Sequence, residues 1–258
     1  CHDSKSGGVR APARSVIMKM APEEVLRSME TGTMASIARG LSSAEKRSIS
    51  EYITGKPLGA KVAPKVAPKG ALDSSRCESA SPEFETPFKG PRWNGWGVDL
   101  ANSRFQTAEM AGLTPAQVPR LKLKWAFGYP GAQSANGQAT IVGGRVFAGG
   151  GARKVYSLDA KTGCTYWVIE TEASVRTAIT IGPVTAAGKY AAYFGDGRSN
   201  VYAVDAATGT LLWKTRVEEH AASRITGAPA LHAGRLIVPV SSSEEGIGSN
   251  PTYQCCTF

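Results

Sequence analysis

Several short stretches of this 258-residue chain combine residue types that can carry chemistry. Cys1-His2 are the last two letters of Cys-x-x-Cys-His, the attachment signal of a c-type haem, in which two thiols bond the vinyl groups and the His ligates iron. Only the second thiol and the His are present, and a chance dipeptide is the alternative. Cys255-Cys256 are adjacent; they can close a strained eight-membered ring, serve as a structural bridge, or stay free thiols. Ser241-Ser242-Ser243-Glu244-Glu245-Gly246 offers a hard cation a carboxylate beside hydroxyls, with Glu245 the candidate ligand and a solvated acidic loop the alternative. Arg176 and Arg224, with Thr177 and Thr226 near them, suit an anion or, equally, structural ion pairs. Cys77 and Cys164 are single, and a bond between them is one option. His220 and His232 read as ordinary edge residues. Zinc spacing, a nucleophile elbow and a phosphate-binding glycine loop are all missing from the sequence.

The elements that must position these residues come from a phrase used twice. Val155-Tyr156-Ser157-Leu158-Asp159-Ala160-Lys161-Thr162-Gly163 runs on to Trp167, and Val201-Tyr202-Ala203-Val204-Asp205-Ala206-Ala207-Thr208-Gly209 runs on to Trp213. The copies are 46 residues apart, within the period of about 40–50 residues of propeller blades. Each reads as a hairpin: apolar residues alternate with small ones, Asp and Thr open a tight turn, and Gly supplies positive φ. Three inner segments, Gln138 to Gly149, Thr180 to Gly195 and Thr226 to Val240, share the order apolar strand, Gly-centred turn, apolar strand. The sequence therefore predicts roughly three blades with an open edge, unstable alone. Inner strands line the axial channel, which places Arg176 and Arg224 close to it.

Ahead of the repeats lies a helical head. Pro22, Glu23 and Glu24 open a helix that runs through Val25, Leu26 and Met29. Thr31 to Met34 break it, and Ser42-Ser43-Ala44-Glu45 is a capping box for a second helix with Ile49, Tyr52 and Ile53 inward. Helix, Met-bearing loop and closing helix resemble the latter part of a class I cytochrome c. That resemblance makes Met34 the sixth haem ligand, a core side chain being the other reading. Met18, Met20 and Met29 lie nearby.

Residues 55–90 repeat Ala-Pro-Lys and read as a semi-rigid linker. Lys56, Lys61, Lys65 and Lys69 supply much of the local excess behind the net charge of +9. No aromatics interleave with them, so a solvated linker is expected and not a nucleic-acid surface. No stretch is apolar enough to span a bilayer. A start at Cys1 without Met reads as a mature or truncated piece.

Arg92-Trp93-Asn94-Gly95-Trp96-Gly97, Asn102 to Gln106, Leu121 to Gly131 and Tyr253 to Phe258 resemble the quinohaemoprotein dehydrogenases, as does the spacing small-x-Asp-x-x-Thr-Gly-x-x-x-Trp. In that family each Trp packs between neighbouring blades. The resemblance implies a mainly β fold: residues 1–54 the end of an all-α cytochrome c-like domain, 55–90 a linker, and 91–258 part of a seven- or eight-bladed quinoprotein-type β-propeller. It further implies pyrroloquinoline quinone (PQQ) in the channel, calcium beside it, and haem c. His2 and Met34 would ligate iron and Cys1 attach the haem. Glu245 would ligate calcium, while Arg176, Arg224 and Thr226 face the quinone's carboxylates and Cys255-Cys256 lie against it. No residue matches the family's catalytic Asp. The implied function is oxidation of secondary alcohols, such as those of polyvinyl alcohol, with electrons passed through haem to an external acceptor such as a cytochrome. An oxidising, periplasmic compartment follows. The rival is a propeller scaffold without quinone, or an inactive truncated fragment.

Overall fold

A computed structural model describes residues 2, 12–30, 32–35, 37–59, 75–78, 84–132, 134–184, 188–248 and 250–254. Cys1, Cys255, Cys256 and the Ala-Pro-Lys repeat lie outside the described residues. Two compact units emerge, Cys1–Gly70 and Ala71–Phe258, and the division falls inside the stretch expected as linker.

The first unit is helical. α1 spans Arg14–Ile17, α2 Pro22–Glu30 and α3 Ser43–Thr54, with a 3-10 turn at Ile37–Gly40 before α3. α2 starts with Pro, whose missing N–H costs nothing in a first turn, and buries Pro22, Val25, Leu26 and Met29. α3 opens with the expected capping box: the Glu45 amide donates to Ser42 Oγ at 3.3 Å and the Ser42 amide to Glu45 Oε2 at 2.7 Å. The inner stripe of α3 differs from expectation. Ile49 and Ile53 pack inward, but Tyr52 is 81% exposed. Its place is taken by Ser50 and Thr54, which can be buried because each hydroxyl donates to the carbonyl four residues back, at 2.8 Å in both cases.

The second unit is built of antiparallel sheets. β1 (Thr140–Val142), β2 (Arg145–Gly150), β3 (Lys154–Asp159) and β4 (Thr165–Glu170) form one four-stranded meander. β5 (Thr180–Pro183), β6 (Tyr190–Gly195), β7 (Asn200–Asp205) and β8 (Leu211–Arg216) form the next. Two blades are thus complete. Of the expected third, the structure forms the hairpin β10 (Ala230–His232) with β11 (Arg235–Ile237), and beside it β9 (Ser223–Arg224) paired with β12 (Ser241–Ser242). Arg224 therefore belongs to a short outlying strand and Thr226 to the connection after it; the inner strand begins only at Ala230. Among the described residues there remain two short α-helices, α4 (Ala108–Ala111) and α5 (Glu244–Ile247), and a 3-10 helix at Pro115–Arg120.

Each outer hairpin is set by its Asp. Asp159 Oδ1 accepts from the Lys161 amide at 2.9 Å, the Thr162 amide at 2.7 Å and Thr162 Oγ1 at 2.9 Å. Asp205 does the same with Ala207, Thr208 and Thr208 Oγ1, at 2.9, 2.8 and 3.0 Å. The glycines that close the turns, Gly163 and Gly209, have φ of 78° and 79°, where a side chain is strained.

The blades are joined by apolar packing and by polar links at both ends. Phe147, Val155, Trp167, Ile179, Ile181, Phe194 and Val204 share one core between the sheets. Trp167 of the first blade lies on Gly209 of the second: a Cβ placed on that glycine would meet the indole at 2.8 Å. Its Nε1 donates to the Ala206 carbonyl at 3.1 Å. Trp125 repeats the arrangement one step earlier, lying on Gly163 and donating to the Ala160 carbonyl at 3.2 Å. The first strands converge as inner strands should. Thr140 Oγ1 donates to the Ile179 carbonyl and Thr180 Oγ1 to the Pro229 carbonyl, both at 2.5 Å. Asn94 of the lead-in segment bonds both backbone groups of Ile181 at 2.8 Å.

Cys77 and Cys164 form a disulfide. It pins residues 75–77 to the edge of β4, where Arg76 makes a parallel bridge with Thr165.

Candidate functional site

In an antiparallel meander the second-to-third turn and the connection to the next sheet lie at the same edge. That edge holds residues 150–153 and 196–199 together with 134–137, 171–177 and 223–226. Ser134, Asn136, Gly151, Ser174, Val175, Arg176, Gly197, Arg224 and Thr226 line a cleft there of about 130 Å³. A pocket for a whole small ligand measures roughly 300–1,000 Å³. This one suits the charged portion of a ligand.

The lining repeats with the blades. The Gly151 amide donates to the Ser134 carbonyl at 3.1 Å, and the Gly197 amide to the Ser174 carbonyl at 3.0 Å. Likewise the Val175 amide meets the Gly150 carbonyl at 3.4 Å, and the Ile225 amide the Asp196 carbonyl at 3.1 Å. Aligned by these bonds, Ser134, Ser174 and Arg224 occupy one position in three successive connections, and Asn136, Arg176 and Thr226 another. A ligand there touches all three. Both arginines are exposed, and no ion pair to either occurs among the described residues. Thr226 Oγ1 hydrogen-bonds Ser241 Oγ at 2.9 Å. Two guanidinium groups with no carboxylate partner among the described residues, ringed by hydroxyls and an amide, have the chemistry to receive an anion. Arg176, Arg224 and Thr226, chosen from sequence, are thus brought together; Thr177 is buried and donates to the Gly195 carbonyl at 3.5 Å instead.

The other expected residues are elsewhere. Glu245 is exposed on α5, and the carboxylate turned inward is its neighbour Glu244, which accepts from Ser242 Oγ at 3.0 Å and Tyr253 OH at 2.7 Å. No cluster of three or more His, Cys, Asp or Glu able to hold a metal ion occurs among the described residues. In the helical unit Met34 is half-buried against Ile17, Val25 and Met29. His2 Nδ1 lies 2.8 Å from the Pro12 carbonyl. That bond requires the proton on Nδ1 and leaves Nε2 free, the tautomer a metal-bound histidine needs. His2 and Met34 thus fit haem iron by donor chemistry.

Ser134, Asn136 and Ser174 of the cleft carry no signal of their own in the sequence, and neither do two buried residues. Arg145 is 2% exposed; its Nη1 donates to the Ala207 carbonyl at 2.9 Å and the guanidinium lies over Phe84 and Tyr166 at 5.0 and 4.6 Å. Burial pushes its pKa down, opposed by Tyr166, Asp205 and Asp159. Asp196 is fully buried under the cleft and receives Tyr202 OH at 2.9 Å. Burial raises the pKa of that phenol far above its usual value, and Asp196 and Glu172 add to the rise. The only sequence signal for Asp196 was its place 46 residues after Gly150 in the repeat.

Meanders whose first strands converge, locked by tryptophan on glycine, define a quinoprotein-type β-propeller. The chain belongs to the PQQ-repeat family whose model, described as outer membrane protein assembly factor BamB, matches residues 95–252. It is 41% identical to a polyvinylalcohol dehydrogenase of Pseudomonas sp., over 100% of this chain and 40% of that protein. A second polyvinylalcohol dehydrogenase, from Sphingopyxis sp., is 39% identical with the same coverage. The chain thus spans about 40% of the length of these curated relatives. Among solved structures, the quinohemoprotein alcohol dehydrogenase from Comamonas testosteroni matches 60% of this chain and 24% of its own, at 23% identity and a TM-score of 0.47.

Proposed function

We propose that this chain is the cytochrome, linker and first-blade portion of a PQQ-dependent quinohaemoprotein dehydrogenase acting on secondary alcohols, polyvinyl alcohol among them. Residues 1–54 form the haem-bearing part, 55–90 the tether, whose end is held to the first blade by the Cys77–Cys164 disulfide and by Phe84, and 91–258 the propeller part. The observation that carries this reading is the cleft in which Arg176, Arg224 and Thr226 converge from successive blade connections. The names of the two relatives point the same way. PQQ, when bound, supplies two-electron oxidation of an alcohol, and haem c carries electrons singly towards an outside acceptor.

What the chain's own residues do follows from their chemistry. Arg176 and Arg224 bind carboxylate groups by charge-assisted hydrogen bonds, and Thr226 and Ser174 orient them. His2, its tautomer fixed by Pro12, would offer Nε2 to haem iron, Met34 would offer its thioether, and Cys1 would be the covalent anchor. Cys255 and Cys256 belong with the quinone by resemblance. Such chemistry belongs in an oxidising, periplasmic compartment, and the Cys77–Cys164 disulfide supports that setting.

The test is the visible spectrum of the full-length protein before and after addition of PQQ, calcium and a secondary alcohol. Haem bands that sharpen on alcohol addition are expected. Haem bands that ignore alcohol would leave a cytochrome-tagged propeller of another purpose. Their complete absence would favour the scaffold reading, for which a haem has no use.

A further inference from the structure

We propose that Asp196 is a positioning residue of the cleft, its carboxylate fixing the segment that carries Arg176 while its backbone links to the one that carries Arg224; this rests on the reading of the cleft as an anion site. The Asp196 carboxylate accepts from the Ala173 amide at 3.2 Å, the Arg198 amide at 2.8 Å, the Asn200 amide at 3.1 Å and Tyr202 OH at 2.9 Å. The Asn200 side chain donates to both its oxygens, at 3.2 and 3.0 Å. The Asp196 backbone carbonyl accepts from the Ile225 amide at 3.1 Å, and the Gly197 amide donates to the Ser174 carbonyl at 3.0 Å. One dipeptide therefore holds residues 173 and 174, just ahead of Arg176, and residue 225, between Arg224 and Thr226.

The turn itself does not need the aspartate. Gly150 stands in its place in the first blade, 46 residues earlier. Both turns carry a left-handed residue at the same point, Arg153 at φ 57° and Ser199 at φ 59°. Both also make the same two backbone links to the neighbouring connections. What the carboxylate adds is the hold on Ala173 and a partner for Tyr202. The difference is visible in the first blade, where the matching Tyr156 hydroxyl is buried with no hydrogen-bond partner. The buried carboxylate thus occurs under the connection in which arginine replaces Asn136. A segment fixed in advance loses less freedom when a ligand arrives, which strengthens binding without a new contact.

The experiment titrates PQQ, as the probe, into the full-length protein and its variants and measures the dissociation constant by calorimetry. Asp196→Gly reproduces the first-blade turn. Arg176→Ala, Arg224→Ala and Asp196→Gly should each weaken PQQ roughly tenfold. The double variant Asp196→Gly/Arg176→Ala should bind no worse than Arg176→Ala alone, because the aspartate acts through that arginine. Additive losses would mean general loosening and overturn the proposal. Normal binding by Asp196→Gly, with both arginine variants weakened, would overturn it while leaving the anion site standing. Normal binding by both arginine variants would overturn both. If Asp196→Gly does not fold, Asp196→Asn keeps the side-chain volume and is read in the same cycle.

Discussion

Ser157 and Ala203 occupy the same place in the two copies of the repeat, each opposite the tryptophan of its own blade. Ser157 Oγ is fully buried with no hydrogen-bond partner, whereas alanine there leaves nothing unsatisfied. An orphaned buried hydroxyl costs about 1–3 kcal/mol. Ser157→Ala should therefore raise stability by about 1 kcal/mol in a urea titration; a loss of stability would mean that the hydroxyl has a partner. Asp159 makes a pH-dependent contribution. Burial alone would raise its pKa, but hydrogen bonds from Tyr166, Thr162 and the Lys161 amide outweigh it and hold the pKa below the ordinary 3.8. A depressed carboxylate stabilises the fold above its unfolded pKa, and that stability is lost as the pH falls through the lower, folded value. Acid unfolding should therefore steepen below pH 3.8, and Asp159→Asn should remove that part of the slope. An unchanged acid limb in the variant would place the titrating group elsewhere.

At the scale of elements, the blade-to-blade contact can be separated from the strain of a left-handed glycine. Gly209 and Gly188 have φ of 79° and 74°, but only Gly209 lies under an indole; a Cβ on Gly188 meets nothing within 4 Å. Gly188→Ala should cost about 1 kcal/mol for the backbone alone. Gly209→Ala should cost roughly 3 kcal/mol, since Trp167 must also give way. Equal losses in thermal unfolding would show that the tryptophan contributes nothing. This interface was legible in the sequence because everything it needs recurs at a fixed interval: Asp, Thr, Gly and Trp in phase. The capping box and the apolar stripe of α2 were legible for the same reason, their signals being local. Arg145 was not, because its partners at 206 and 207 lie in the next blade and nothing near it in sequence marks it as buried. The third inner strand begins at Ala230 and not at Thr226, because Gly227 and Pro229 suit a strand poorly, and Thr226 and Pro229 bond to Ser241 and Thr180. The Cys77–Cys164 pairing stayed open because spacing carries no information about which distant thiols meet. Half of the cleft was readable as arginine near threonine; that successive connections superimpose their lining positions needed the backbone bonds.

For the molecule as a whole, the disulfide joins the start of the propeller unit to the outer edge of its first complete blade across 87 residues. A crosslink over such a span typically stabilises by about 2–4 kcal/mol, largely through the unfolded chain. Cys77→Ser/Cys164→Ser should lose that amount in a guanidinium titration while the sheets keep their far-ultraviolet signal; no loss would mean the thiols are not joined in the folded protein. The tryptophan contacts have a direction as well as a strength. Trp125 of the lead-in segment holds the turn at 159–163, and Trp167 of the first blade the turn at 205–209, so each tryptophan secures a turn that follows it in the chain. In amide hydrogen exchange this asymmetry becomes a signature. Loosening the first blade should deprotect the Gly209 amide in the second, and loosening the second should leave Gly163 as slow as before. A label placed in one blade reports the openings of the blade before it.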